Sequence, residues 1–158
     1  MQNSNNDPYI NELTCIKRLV KEWVAHRSLI IAYDYDNTVF DYHNLGYEFK
    51  NIISILRECK KYGCKFIVFS CSPPERHSEM ISYLTENEIP FDTINENIVE
   101  LHGGHGKVFY NILLDDRAGL KSAYSILNAA LTVIKENPEN ELEACKILRN
   151  IYGKRVEC

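Results

Sequence analysis

Four short apolar runs punctuate this chain, each too short to be an ordinary helix. They are LIIAYD at 29–34, CKFIVFS at 64–70, FDTI at 91–94 and YNILL at 110–114. Runs of this length, bounded by turn residues, read as buried strands. Segments of helical periodicity stand before, between and after them. Leu13, Ile16, Val20 and Trp23 predict a first helix ending near Ala25. From Gly46, the positions Phe49, Ile52, Ile53, Leu56 and Cys59 form one face of a second, stopped by Tyr62-Gly63. Pro73-Pro74 opens a third with Met80, Ile81 and Leu84 inside, and Pro90 breaks it. Leu120, Tyr124, Leu127, Leu131 and Ile134 line a fourth, which Asn137-Pro138 stops. Leu142, Cys145, Leu148 and Ile151 line a last one. Such alternation implies βαβ units and an α/β fold with a mainly parallel sheet.

The 158 residues, 45% of them hydrophobic, suit one domain with an adequate core. It divides into an N-terminal helical extension (1–28), a core (29–135) and a C-terminal helix (139–152). Residues 1–8 are polar and expected to fray. A net charge of −4 argues against a nonspecific nucleic-acid binder but leaves room for a nucleotide held locally. The start, MQNSNNDPYINELT, lacks the apolar core of a signal peptide, and no run approaches the ~20 residues that span a bilayer. A cytoplasmic protein without a membrane partner is expected. The six cysteines (15, 59, 64, 71, 145 and 158) include no CxxC pair. They are expected as buried or incidental thiols of a reducing compartment. Cys71 adjoins Ser70, where its oxidation would matter to a nearby site.

Two acidic pairs stand where apolar runs stop: Asp34 and Asp36 after the first, Asp115 and Asp116 after the fourth. Open α/β sheets bind ligands at the C-terminal edge of their strands. Acidic groups held there by two strands can share one hard cation, and Mg²⁺ prefers such oxygens. Ser70 ends the second run, and Lys107 precedes the fourth. Carboxylates, hydroxyl, ammonium and a metal together describe a phosphate site. Taken singly, the same residues are ordinary: loop-capping aspartates, a strand-end serine, a solvated lysine.

In order and position these residues resemble the haloacid dehalogenase (HAD) superfamily. Asp34-Tyr35-Asp36-Asn37-Thr38-Val39 is similar to its first motif, DxDx[TV] after a buried strand. Ser70 resembles the second motif, Lys107 the third and Asp115-Asp116 the fourth. The matching region covers roughly residues 29–135. The resemblance implies a three-layer Rossmannoid fold and a Mg²⁺-dependent phosphomonoester hydrolase. Asp34 would be the nucleophile that forms an aspartyl-phosphate. Asp36 would be the general acid and base, and its backbone carbonyl would be a metal ligand. Asp34 and Asp115 would ligate the metal directly, with Asp116 binding through water or orienting the others. Ser70 and Lys107 would bind phosphate, helped by Asn37 and Thr38. Asn37 departs from the glycine common at its position, but Asn tolerates left-handed backbone. Ser72 is a less fitting substitute for Ser70.

Other residues draw weaker readings. Arg117 is expected as a structural partner of nearby carboxylates, and Arg76 as a substrate contact or a surface ion pair. His102 and His105, in HGGHG, make a poor metal site alone and read as a loop at the rim. Tyr35, Asp41, Tyr42 and His43 are specificity candidates by position only. A receiver domain is disfavoured, because an acidic pair here follows both the hydroxyl and the lysine. Neither 38–64 nor 95–106 has room for a folded cap, so the site should be open. An open site favours a large phosphate ester, such as a nucleotide or nucleic-acid end, over a small sugar phosphate. The alternatives are a phosphotransferase, or a silent HAD-like binding or regulatory protein.

Overall fold

The structure, a computed structural model, describes residues 7–99, 106–153 and 156. His102 and His105 lie outside the described residues. Among the described residues five α-helices pack with one sheet: α1 (Glu12–His26), α2 (Lys50–Lys61), α3 (His77–Glu86), α4 (Leu120–Lys135) and α5 (Glu141–Tyr152). The strands are β1 (Ile30–Asp34), β2 (Lys65–Phe69), β3 (Thr93–Ile94) and β4 (Ile112–Leu114). They are all parallel, in the order β3-β2-β1-β4. This is an α/β domain of Rossmann-like topology. Asp34 and Asp115 follow adjacent strands as expected, but only β1 is interior; β4 is an edge.

The apolar pattern fixes what packs where. Ile31, Tyr33, Phe66, Val68, Ile112 and Leu114 share one face of the sheet and join the main core. The inner sides of all five helices join the same core, through residues such as Leu19, Leu56, Leu84, Leu127 and Leu148. The opposite face presents Ile30, Ala32 and Ile67. Phe69 and Leu113 lie on the same face, and Ile98, Val108 and Tyr110, none of them helical, pack against it. A helical third layer is therefore not seen among the described residues. Topology supplies the reason. The first two crossovers step away from β1 in one direction, and the return from β3 to β4 steps back past β2 and β1. Right-handedness puts that return on the other face, and the described residues of the return (95–99 and 106–111) form no helix.

Local chemistry moves several element boundaries. α2 starts at Lys50 rather than near Gly46, because Asp41 Oδ2 accepts from the N–H groups of Gly46 (2.6 Å) and Tyr47 (3.1 Å). Those amides stay in a loop, and Phe49 enters the helix with φ of 47°. Pro74–Arg76 forms a tight turn before α3 begins at His77. Within α3, Met80 and Leu84 are buried as expected, whereas Ile81 is 41% exposed and not on the inner face. β3 shrinks to two residues because Asp92 bonds Phe66 through its side chain as well as its backbone. Gly63 ends α2 with φ of +83°, and a Cβ there would meet the Arg27 carbonyl oxygen at 2.7 Å. Only glycine fits that approach.

The cysteines divide. Cys59 and Cys64 are buried thiols; a hydrogen bond to Cys64, together with burial, pushes the Cys59 pKa up. Cys71 is an exposed thiol. Cys145 is disulfide-bonded, which corrects the expectation of thiols throughout. Disulfides persist mainly in oxidising compartments. Among the described residues no helix is long and apolar enough to cross a membrane.

Candidate active site

β1 delivers Asp34 to the C-terminal edge of the sheet, level with Phe69 of β2. Leu114 of β4 pairs with Tyr33 of β1, so Asp115, one residue on, emerges level with Asp34. Burial is the largest influence on Asp34, followed by the charges of Asp115 and Asp116; Asp36 adds a smaller push, and only a hydrogen bond from Thr38 opposes them. The carboxyl is raised to about 6. The four predicted acids therefore share one neighbourhood, and its strongest charges are all negative.

Thr38 joins the two acidic motifs. Its hydroxyl donates to Asp34 Oδ2 and accepts from the Asp116 N–H, both at 3.3 Å. It is fully buried. The hydroxyl expected to help bind phosphate is thus engaged by both acidic motifs. Asn37 adopts φ of 59°, as its residue type allows, and its N–H donates to the Phe40 carbonyl at 2.7 Å. Its side-chain amide forms no hydrogen bond among the described residues and is what it can offer a ligand.

Asp36 Oδ1 is buried with no hydrogen-bond partner. Leaving such an oxygen unsatisfied costs about 1–3 kcal/mol or more, so the site calls for a proton, cation or ligand atom there. Asp115 Oδ1 accepts from the Arg117 N–H at 2.8 Å, which closes the turn and fixes one oxygen. The expected partnership of Arg117 with a carboxylate is thus made by its backbone. Among the described residues no three Asp, Glu, His or Cys side chains form a cage by themselves. A cation held by Asp34, Asp115, a backbone carbonyl and water needs no such cage, and that donor set suits Mg²⁺.

Ser70 follows β2, and its Oγ accepts from the Ser72 N–H at 3.0 Å. That contact leaves the hydroxyl proton to donate elsewhere. Ser72 Oγ accepts from Arg76 Nη1 at 3.4 Å, which leaves its proton free as well. Arg76 also reaches Glu79 at 3.9 Å, a surface pair. Lys107 is exposed, and its ammonium lies within ion-pair distance of no carboxylate among the described residues. The structure brings the acids together but leaves this lysine outside them.

Two specificity candidates have structural roles instead. Tyr35 is buried, stacked on Phe40 at 4.9 Å and edge-on to Tyr83. Asp41 closes its own loop: burial would raise its carboxyl, but the N–H groups of Leu45, Gly46 and Tyr47 outweigh that and hold it below the usual range. Tyr42 is exposed beside His43, free to meet a ligand. Sequence reading missed Asn95 and Asn97. Asn95 bonds both backbone groups of Ser70, and Asn97 bonds Lys107 and Phe109. Asparagine after a strand is too common to flag either.

A cavity of about 600 Å³ lies elsewhere, between α1 and α5, lined by Tyr9, Val20, Leu142 and Leu148 among others. It contains none of the acidic cluster. The ionic groups on its wall include Lys21 and Glu141, which pair with each other. No family model matches the chain, and no curated protein or solved structure does.

Proposed function

We propose that this chain is a HAD-like, Mg²⁺-dependent phosphomonoester hydrolase working through an aspartyl-phosphate on Asp34. The observation that carries the reading is the convergence of Asp34, Asp36, Asp115 and Asp116 at the C-terminal edge of adjacent parallel strands. Crowding four acids raises Asp34 and disfavours the fold, which a merely structural site would avoid. Perturbed carboxyls of this kind mark functional sites.

Asp34 Oδ attacks phosphorus, and the bond to the leaving oxygen breaks as Asp36 supplies that oxygen with a proton. Asp36, now ionised, takes a proton from water, whose oxygen attacks the phosphoryl group and releases Asp34. Asp34 and Asp115, with the Asp36 carbonyl, would hold Mg²⁺; Asp116 would steady the set through the Thr38 bridge. When bound, the cation neutralises the charge that separates carboxylate from phosphate. Ser70 donates its free proton to a phosphate oxygen. Lys107 swings in as a point charge once phosphate is present.

An open site supports an extended substrate, a nucleotide or nucleic-acid end. Between β1 and β2 there is only a loop and α2, and exposed Tyr42 and Tyr47 in that loop can meet a base. The test is a phosphate-release screen over phosphorylated metabolites and oligonucleotides, with Mg²⁺ or with chelator. Mg²⁺-dependent release from nucleotides or oligonucleotide ends is expected. No release from any compound contradicts the hydrolase, and release only from small sugar phosphates contradicts the substrate class.

A further inference from the structure

We propose that Asn95 and Asn97 are positioning residues that hold Ser70 and Lys107 ready for the phosphate group. The inference rests on the hydrolase reading and extends it to residues outside the four motifs. Ile94, the last residue of β3, is level with Val68 of β2, and the Asn95 N–H donates to the Val68 carbonyl at 2.9 Å. The strands part there, but pairing continues through a side chain. Asn95 Oδ1 accepts from the Ser70 N–H at 3.0 Å, and Asn95 Nδ2 donates to the Ser70 carbonyl at 2.7 Å. One amide side chain thus takes the place of a peptide group and fixes the backbone that carries the phosphate-binding hydroxyl.

Asn97 does the same for the other segment. Its Oδ1 accepts from the Phe109 N–H at 2.7 Å, and its Nδ2 donates to the Lys107 carbonyl at 3.3 Å. Only an amide offers a donor and an acceptor so spaced; a carboxylate lacks the donor and a hydroxyl the reach. Both asparagines leave the end of β3, and the Thr93 hydroxyl, donating to the Glu96 carbonyl at 2.8 Å, tightens the turn between them. Asn95 sits at φ of 56°, where asparagine and glycine are at ease. Both side chains are exposed and bury little apolar surface, so their yield is geometry more than stability. A single three-residue stretch therefore holds the backbone at both Ser70 and Lys107.

The test is a pair of double-mutant cycles on kcat/KM, which separate a residue acting through a named partner from one that only supports the fold. Asn95→Gly keeps the backbone conformation and removes the clamp; Asn97→Ala removes the second clamp without adding charge. Each should lower kcat/KM roughly tenfold, the scale of one or two lost hydrogen bonds. Asn95→Gly should add no further loss to Ser70→Ala, nor Asn97→Ala to Lys107→Met. The crossed pairs, Asn95→Gly with Lys107→Met and Asn97→Ala with Ser70→Ala, should multiply. If Asn95→Gly does not fold, Asn95→Asp keeps the left-handed backbone and replaces the donor with a charged acceptor facing the Ser70 carbonyl, which breaks the same clamp. An active parent whose matched pairs multiply overturns the inference and leaves the hydrolase standing. A parent that releases no phosphate removes both.

Discussion

The Thr38 hydroxyl donates to Asp34 Oδ2 at 3.3 Å while it receives the Asp116 N–H at the same distance. One buried side chain thereby steadies the ionised Asp34 carboxylate and ties it to the second acidic motif. Thr38→Val should strand both partners, destabilising the fold by about 1–3 kcal/mol. It should also raise the Asp34 pKa further and shift the acid limb of the rate profile upward. Thr38→Ser should restore both. Thermal melts and pH–rate profiles of the three proteins check this. Unchanged profiles in Thr38→Val would remove Thr38 from the mechanism.

The crowding of acids has a definite signature in stability. Burial and the charges of Asp115 and Asp116 raise Asp34 from 3.8 to about 6. A carboxyl raised on folding binds its proton more tightly when folded. The cation-free protein therefore loses stability as pH rises from about 3.8 to about 6, and remains at the lower level above that. The loss is on the order of 1–2 kcal/mol once solvent screening of a half-buried group is allowed for. Asp34→Asn should melt with the parent near pH 4 and above it at pH 7.5, in chelator. Mg²⁺ should then raise the parent's Tm at pH 7.5 and leave the variant's largely unmoved. Parallel curves for the two proteins would contradict the electrostatic account.

Asp36, with its unpartnered Oδ1, is assigned the proton transfers. Asp36→Asn should slow turnover by roughly 10²-fold or more. Phosphoenzyme formation should suffer less with p-nitrophenyl phosphate than with an alkyl phosphate, because the better leaving group needs no proton. Equal losses in rapid-quench measurements would show that Asp36 is not the acid.

Gly63 provides a test of the fold away from the chemistry. Gly63→Ala would press a Cβ against the Arg27 carbonyl at 2.7 Å on a left-handed backbone. A loss of about 1–3 kcal/mol is expected, without change in kcat of the protein that remains folded. Denaturant unfolding measures the first and initial rates the second.

The sheet was legible because its strands are short apolar runs, and because runs separated by helices pair in parallel. The four acids were legible because each pair directly follows such a run, so strand position alone carried them to one edge. What escaped reading depended on side chains bonding distant backbone. Asp41 holds Gly46 and Tyr47 out of α2, and Asp92 shortens β3. Thr38 likewise bonds the Asp116 backbone while donating to Asp34. Ile81 fits the helical face by spacing, but α3 is short and only Met80 and Leu84 are buried in it. The irregular cover of Ile30, Ala32 and Ile67 leaves no periodic signal at all.

The most direct test is to incubate the protein with a phosphate ester found in the screen, with Mg²⁺, then quench in acid and map phosphorylated peptides by mass spectrometry. The account predicts a phosphoryl group on Asp34 in the parent, none in Asp34→Asn, and none in either protein under chelator. Parent-level phosphate release by Asp34→Asn, or a phosphoryl group carried stably on another residue, would contradict it.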